Sequence, residues 1–357
     1  MGQSSKKLLT LENGIQVNAQ FPKIVSASRS TDIPAFYADW FFNRLKKGYS
    51  AWINPYNNQK LYIDYEDTRF IVFWSKNPRP LLPYLDYLKE RDINCYIQYT
   101  LNDYDNERLE PNVPSLQYRI DTFKRFIDYF GDTKHVIWRF DPLMLTEHID
   151  EDKLLEKVSR VGDALKGYTE KLVFSFADIA IYRKVKKNLI NNHVLYKEWE
   201  NNGQMERFTA QLEELNKKWG YQLATCGEKV SLEKYGVVHN RCIDDEQIIK
   251  IANKDKLLCD YLSYAIKQGN DIFGEIPTGA IDLGNGLYAV KIKTTSQNSK
   301  DKGQRALCGC IVSKDIGEYN TCPHLCEYCY ANTSKQFATK NYECHMNNPM
   351  GETIIGF

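Results

Sequence analysis

Two rhythms of apolar positions alternate along most of the chain. Short β-branched and aromatic runs recur at residues 23–28 (KIVSAS), 69–74 (RFIVFW), 93–100 (INCYIQYT), 135–140 (HVIWRF), 171–176 (KLVFSF) and 221–226 (YQLATC). Between them the spacing turns helical: Tyr37, Trp40, Phe41, Leu45; Leu116, Ile120, Phe123, Ile127, Phe130; Leu154, Val158, Val161, Leu165; and Met205, Phe208, Leu212, Leu215, Trp219. Strand then helix, six times over, predicts βα units and a parallel sheet in an α/β protein. Pro34 suits a first helical turn, and Pro114 and Asp150 mark two further starts. The aromatics in these stripes read as packing.

Two stretches break the rhythm. Residues 49–65 place a Pro-Tyr-Asn-Asn turn between aromatic runs and predict a hairpin inserted before the second strand. After residue 268, Asn285-Gly286 between alternating apolar positions predicts another, followed by the polar connection SQNSKDKGQR. Six βα units suit a barrel or an open doubly wound sheet. No G-x-G-x-x-G turn follows the first strand, which favours a partial (β/α)6 barrel of the triose phosphate isomerase type. The expected divisions are an N-terminal extension (1–22), the barrel (23–268), hairpin and polar connection (269–304), and a cysteine-rich tail (305–357) folding over the barrel mouth.

Composition narrows the function. The 357 residues carry 47 basic and 46 acidic side chains, so no global charge draws the chain to nucleic acid or anionic membrane. The start has no apolar signal-peptide core, and no run approaches the roughly 18 apolar residues of a membrane helix. A cytoplasmic protein is expected. There, ten cysteines point to metal or catalysis rather than disulfides. Six of the ten fall between Cys308 and Cys344.

The densest stretch is NTCPHLCEYCYANTS, residues 320–334, with the spacing Cys322-x3-Cys326-x2-Cys329. Ten cysteines scattered at random would produce this spacing on the order of once in a hundred chains. Zinc is the serious competitor, because three thiolates with His324 nearby, or with Cys308 and Cys310, can close a tetrahedral site. Structural zinc usually takes two C-x2-C knuckles, however, whereas this spacing suits a three-cysteine iron–sulfur loop. A 4Fe-4S cluster on three cysteines leaves one iron without a protein ligand.

CPHLCEYCYAN resembles the cluster loop of radical S-adenosylmethionine (SAM) enzymes, and its ending is similar to the branch with spore photoproduct lyase and photolyase-like proteins. Together with QRALCGCIVSKDIG just before it, the tail looks like that of an uncharacterised bacterial family known chiefly for such terminal cysteines. The resemblance implies a 4Fe-4S cluster on Cys322, Cys326 and Cys329 and SAM on the open iron. It also implies a 5'-deoxyadenosyl radical acting on an unidentified substrate, and an electron donor such as flavodoxin or ferredoxin. Tyr328, the aromatic of the motif, would stand beside the cofactor. In most of that superfamily the loop follows the first strand, but here SASRSTDIPAFY holds no cysteine, and WSKNP stands where a Gly-Gly-Glu often follows the second strand. A tail folding back to the barrel mouth would restore the loop's place in space.

A second site is drawn from Cys226, Cys242, Cys308 and Cys310, as another iron–sulfur cluster or a zinc. The competing reading makes Cys226 and Cys242 buried small hydrophobes. Gly309 would let the backbone wrap close to a metal. Cys95, Cys259 and Cys344 read as structural, and His324 and His345 as surface or local hydrogen-bonding residues. Barrel enzymes act at strand C-termini, which nominates Arg139 and Asp141 as catalytic, Arg139 by its carboxylate- or phosphate-gripping fork, with an internal ion pair as the alternative. Arg29 and Lys76 would hold an anionic substrate or the SAM carboxylate. Three functions stay open: a radical SAM-type oxidoreductase or lyase, a zinc- or cluster-stapled binding module without radical chemistry, and, as a minor branch, repair of damaged nucleic acid.

Overall fold

The computed structural model describes residues 6–54, 57–200, 202–269, 276–292, 300–301, 303–305 and 307–357. Pro55 and Tyr56 of the first hairpin turn, and Ser296–Lys300's first four residues and Lys302 of the polar connection, lie outside the described residues.

Eight parallel strands form the central sheet: β1 (Ile24–Ala27), β2 (Phe70–Ser75), β3 (Asn94–Thr100), β4 (Val136–Leu143), β5 (Lys171–Phe176), β6 (Gln222–Thr225), β7 (Val238–His239) and β8 (Lys314–Asp315). Their order across the sheet is β8-β1-β2-β3-β4-β5-β6-β7. The first six match the runs expected from sequence to within a few residues. β7 and β8 are too short to leave a periodic signal. The tail strand β8 lies beside β1, pairing Lys314 with Val25 and Asp315 with Ser26. Among the described residues no ladder joins β7 to β8, so the sheet is open; the tighter description as a closed or (β/α)6 barrel is not carried by these pairings.

The helical stripes fold as α1 (Ala38–Lys46), α2 (Leu116–Phe130), α3 (Glu151–Leu165) and α4 (Gln204–Asn216). Asp150 caps α3, its Oδ1 accepting from the Lys153 N–H at 2.9 Å. Gly162 lets α3 approach Trp219 just beyond α4: a Cβ there would stand 2.6 Å from the indole. Alternation within the strands sorts the two faces of the sheet. Val25, Ile71, Ile97, Trp138, Leu172 and Leu223 join the helices in one core. Ile24, Val72, Tyr96, Ile137, Val173 and Ala224 face the other way, into a second core with Ile248, Leu258 and Tyr264.

That second face changes character along the strands. Toward the C-terminal ends its apolar residues give way to Ser26, Trp74, Gln98, Arg139, Ser175 and Cys226. Residues 6–22, which carry no periodic signal, contribute strands Lys6–Thr10 and Gln16–Gln20 to a four-stranded sheet with the 49–53/60–64 hairpin. The Asn285-Gly286 hairpin forms as expected, with positive φ at both turn residues. No helix among the described residues is long and apolar enough to cross a membrane.

Candidate functional site

The cysteine loop lies over the C-terminal ends of the parallel strands. Backbone bonds pin it to the loop after β3: the Glu327 N–H donates to the Leu109 carbonyl (2.9 Å), and the Asn112 N–H to the His324 carbonyl (3.2 Å). Asn188 donates to the carbonyls of Cys329 (2.9 Å) and Asn332 (3.0 Å), and Asn332 donates to that of Cys322 (2.9 Å). Cys326 is buried and Cys322 and Cys329 half-buried. Burial pushes all three thiols up in pKa, against which Lys76 pulls Cys326 and Cys329 down. Thiols so placed are unreactive as free groups and ionise when a metal replaces the proton.

A polar cradle sits beneath the loop. Lys76, immediately after β2, donates to Glu110 Oε1 (2.7 Å) and to the Tyr328 hydroxyl (3.0 Å). Tyr328 in turn donates to Glu110, and Asn102 donates to both Tyr328 (3.0 Å) and Glu110 (2.9 Å). Burial alone would raise the Glu110 carboxyl, but Lys76 and Arg119 hold it down at about 2. Asp32, after β1, accepts from the Lys76 backbone N–H (2.7 Å) and faces His324 Nε2 at 2.8 Å. His324 and His345 are thus not surface residues: both are buried, His345 with Nδ1 2.7 Å from the Ile354 carbonyl.

The other four candidate cysteines also meet. Cys226 and Cys242 have sulfurs 3.3 Å apart, and Cys310 reaches Cys242 on one side and Cys308 on the other. Gly309 is packed against Arg241, 2.8 Å from its Cγ to a Cβ position, so a side chain rather than a metal explains the glycine. Cys95 and Cys259 are buried away from both groups, in β3 and in the helix Lys256–Leu262.

Arg139 and Asp141 form the internal ion pair that was the alternative to a free fork. The Arg139 guanidinium is buried and also donates to Gln98 (3.1 Å) and the Cys242 sulfur (3.3 Å). Asp141 accepts from Ser175 as well, and Arg139 keeps it below the usual carboxylate range against the effect of burial. Arg29 and Arg139 both flank the Trp74 ring, with guanidinium carbons 5.6 and 5.3 Å from its centroid.

The two cysteine groups are therefore joined. Asn102 bonds Tyr328 with its amide nitrogen and accepts from the Asp141 N–H with its oxygen (2.9 Å), linking Cys326–Tyr328–Cys329 through Asp141 and Arg139 to Cys242. Arg139 and Asp141 stand within β4, and Asn102 and Cys242 two and three residues past β3 and β7. Glu110, in an irregular loop, Asn188, in the helix Arg183–Asn191, and Asp315, in the two-residue β8, were missed in sequence, because each gains its meaning from partners far along the chain. Among the described residues no three His, Cys, Asp or Glu side chains are set to close on a single metal ion.

Fold and site together define a parallel α/β protein with one thiol group over the carboxyl ends of its strands and a second packed on one face of its sheet. The chain belongs to the family described as a domain of unknown function (DUF1848), which matches residues 24–331 and takes in all seven candidate cysteines. No curated protein and no solved structure matches it.

Proposed function

We propose that the protein is a radical SAM-type enzyme whose loop cysteines Cys322, Cys326 and Cys329 hold a 4Fe-4S cluster. The observation that carries this reading is the position of the loop, over the strand C-termini where such sheets place their chemistry. Structural zinc usually takes two C-x2-C knuckles, whereas the spacing of this loop suits three cysteines on a cluster. A four-iron cluster spreads three thiolates over three irons. When bound, such a cluster with an open iron supplies one electron for reductive cleavage of SAM.

The chain's own residues have definable tasks on this reading. Tyr328 turns its hydroxyl away from the cysteines into the Lys76–Glu110–Asn102 cradle, which fixes the loop. Lys76 places a cation beside Cys326 and favours its thiolate. Arg29, beside Trp74, offers positive charge to an anionic group, while Arg139 stays paired with Asp141. The sheet itself is read as a partial barrel. Its strands follow chain order apart from β8, which returns beside β1, and the Ile311 N–H donates to the Ile243 carbonyl at 3.1 Å, one backbone bond between the segments that flank β7 and β8. A cytoplasmic setting and a low-potential one-electron donor protein complete the proposal.

Anaerobic reconstitution with iron and sulfide, followed by dithionite and SAM, should release 5'-deoxyadenosine and methionine. Cys326→Ala should abolish release. A fully reconstituted cluster that never cleaves SAM would sink the proposal, as would stoichiometric zinc without iron in protein purified without oxygen.

A further inference from the structure

We infer that Cys226, Cys242, Cys308 and Cys310 hold a second metal centre, an all-cysteine iron–sulfur cluster. The four come from two distant stretches of chain, one pair following β6 and β7 and the other preceding β8, yet their sulfurs stand in a file, 226–242–310–308. Four thiols brought together by chance burial would be packed among apolar side chains, and on one side these are, against Ile243 and Ile311. The other side is different.

Three guanidinium groups face the file. Arg139 donates to the Cys242 sulfur at 3.3 Å; Arg29 lies beside Cys310 and Cys242; Arg305 lies beside Cys226 and Cys308. Asp141 answers Arg139. Asp315 stands beside Arg29, its carboxylate accepting from the Arg29 backbone N–H (2.8 Å) and from Ser26 Oγ (2.8 Å), and among the described residues Arg29 Nη2 is buried with no hydrogen-bond partner. Three guanidinium groups converge here with Asp141 and Asp315 as the carboxylates facing Arg139 and Arg29, so the thiols meet net positive charge. Neutral thiols do not balance that charge, whereas four thiolates around a cluster do.

The shape of the group selects the occupant. A mononuclear zinc needs four sulfurs at the corners of one tetrahedron, each about 2.3 Å from a common centre. Two pairs, Cys226 with Cys242 at 3.3 Å between sulfurs and Cys308 beside Cys310, match two irons that each take two cysteines, the ligation of an all-cysteine [2Fe–2S] cluster. Asn240 Nδ2, 3.2 Å from the Cys242 sulfur, and the Ile243 N–H, 3.4 Å from that of Cys310, are the N–H···S donors that set the potential of such centres. With four protein ligands no iron is open, so this centre carries electrons and binds no substrate. The carrier role rests on the radical reading above; the metal site does not.

The test is metal content measured without SAM. After anaerobic reconstitution, the full-length C322A/C326A/C329A protein should keep about two irons and two sulfides per chain. It should also show a rhombic electron paramagnetic resonance signal when reduced by one electron. Cys308→Ser in the wild-type background should lose that increment and leave the tail-loop iron in place, with circular dichroism unchanged. A triple variant that holds no iron and sulfide, or holds zinc instead, overturns the inference. Failure of the radical reading looks different: iron bound in both groups, and no SAM cleavage.

Discussion

The two cysteine groups differ in how the chain makes them. Cys322, Cys326 and Cys329 lie within eight consecutive residues and are held by a lysine–carboxylate cradle. The inner four come from Cys226 to Cys310, meet only through folding, and face arginines. A contiguous motif announces itself in sequence and can be carried to any place the tail reaches. An assembled one is fixed to the sheet that builds it, and its charge environment identifies it better than its spacing.

The sharpest separation should come from the buried cations. Lys76→Met leaves Glu110 with a buried charge and fewer partners, and Arg139→Met does the same to Asp141. Breaking such pairs costs about 3–5 kcal/mol each. Denaturant unfolding should show both losses, but iron should fall at the tail group in the first variant and at the inner group in the second. Equal loss of both irons in both variants would mean that the two groups form one centre.

A smaller effect is expected at Glu318, where the tail crosses toward the N-terminal sheet. Burial raises its carboxyl to about 7, and Oε1 has no partner. A folded pKa above the unfolded value means stability present at pH 4.5 and lost as pH rises through 7, by up to about 3 kcal/mol. Glu318→Gln should flatten that fall, and Tm measured between pH 5 and 8 checks it. An unchanged pH slope would show that the tail is not strained at this joint.

The smallest concerns Gly317, where a Cβ would stand 1.8 Å from Ser28 Oγ. Gly317→Ala should destabilise by about 1–3 kcal/mol as an overpacked contact. If tail placement over β1 positions the loop, its cluster occupancy should fall while the inner centre keeps its iron.

How much of this could be read from the chain follows from range. The six main strands and four helices were legible because each satisfies a local period. Leu154, Val158, Val161 and Leu165 line one face of α3 whatever their partners. β7 and β8, two residues each, exist only as pairings with β6 and β1, and no local pattern records them. The same division holds in the site. The tail cysteines were visible by spacing and Lys76 by position after a strand. Glu110 was hidden in an irregular loop, and His324, which reads as a surface or local hydrogen-bonding residue, is buried with its ring hydrogen-bonded to Asp32 because the loop is folded inward.

The pairing of β8 with β1 also sets an order of events during synthesis. β1 leaves the ribosome nearly three hundred residues before its neighbour, so its outer edge waits, unpaired, through translation of the rest of the sheet. The loop cysteines follow later still. On the proposed reading, cluster loading at the tail group would come after the sheet is standing, and a nascent chain stalled before residue 314 would expose an open strand edge in place of a finished site.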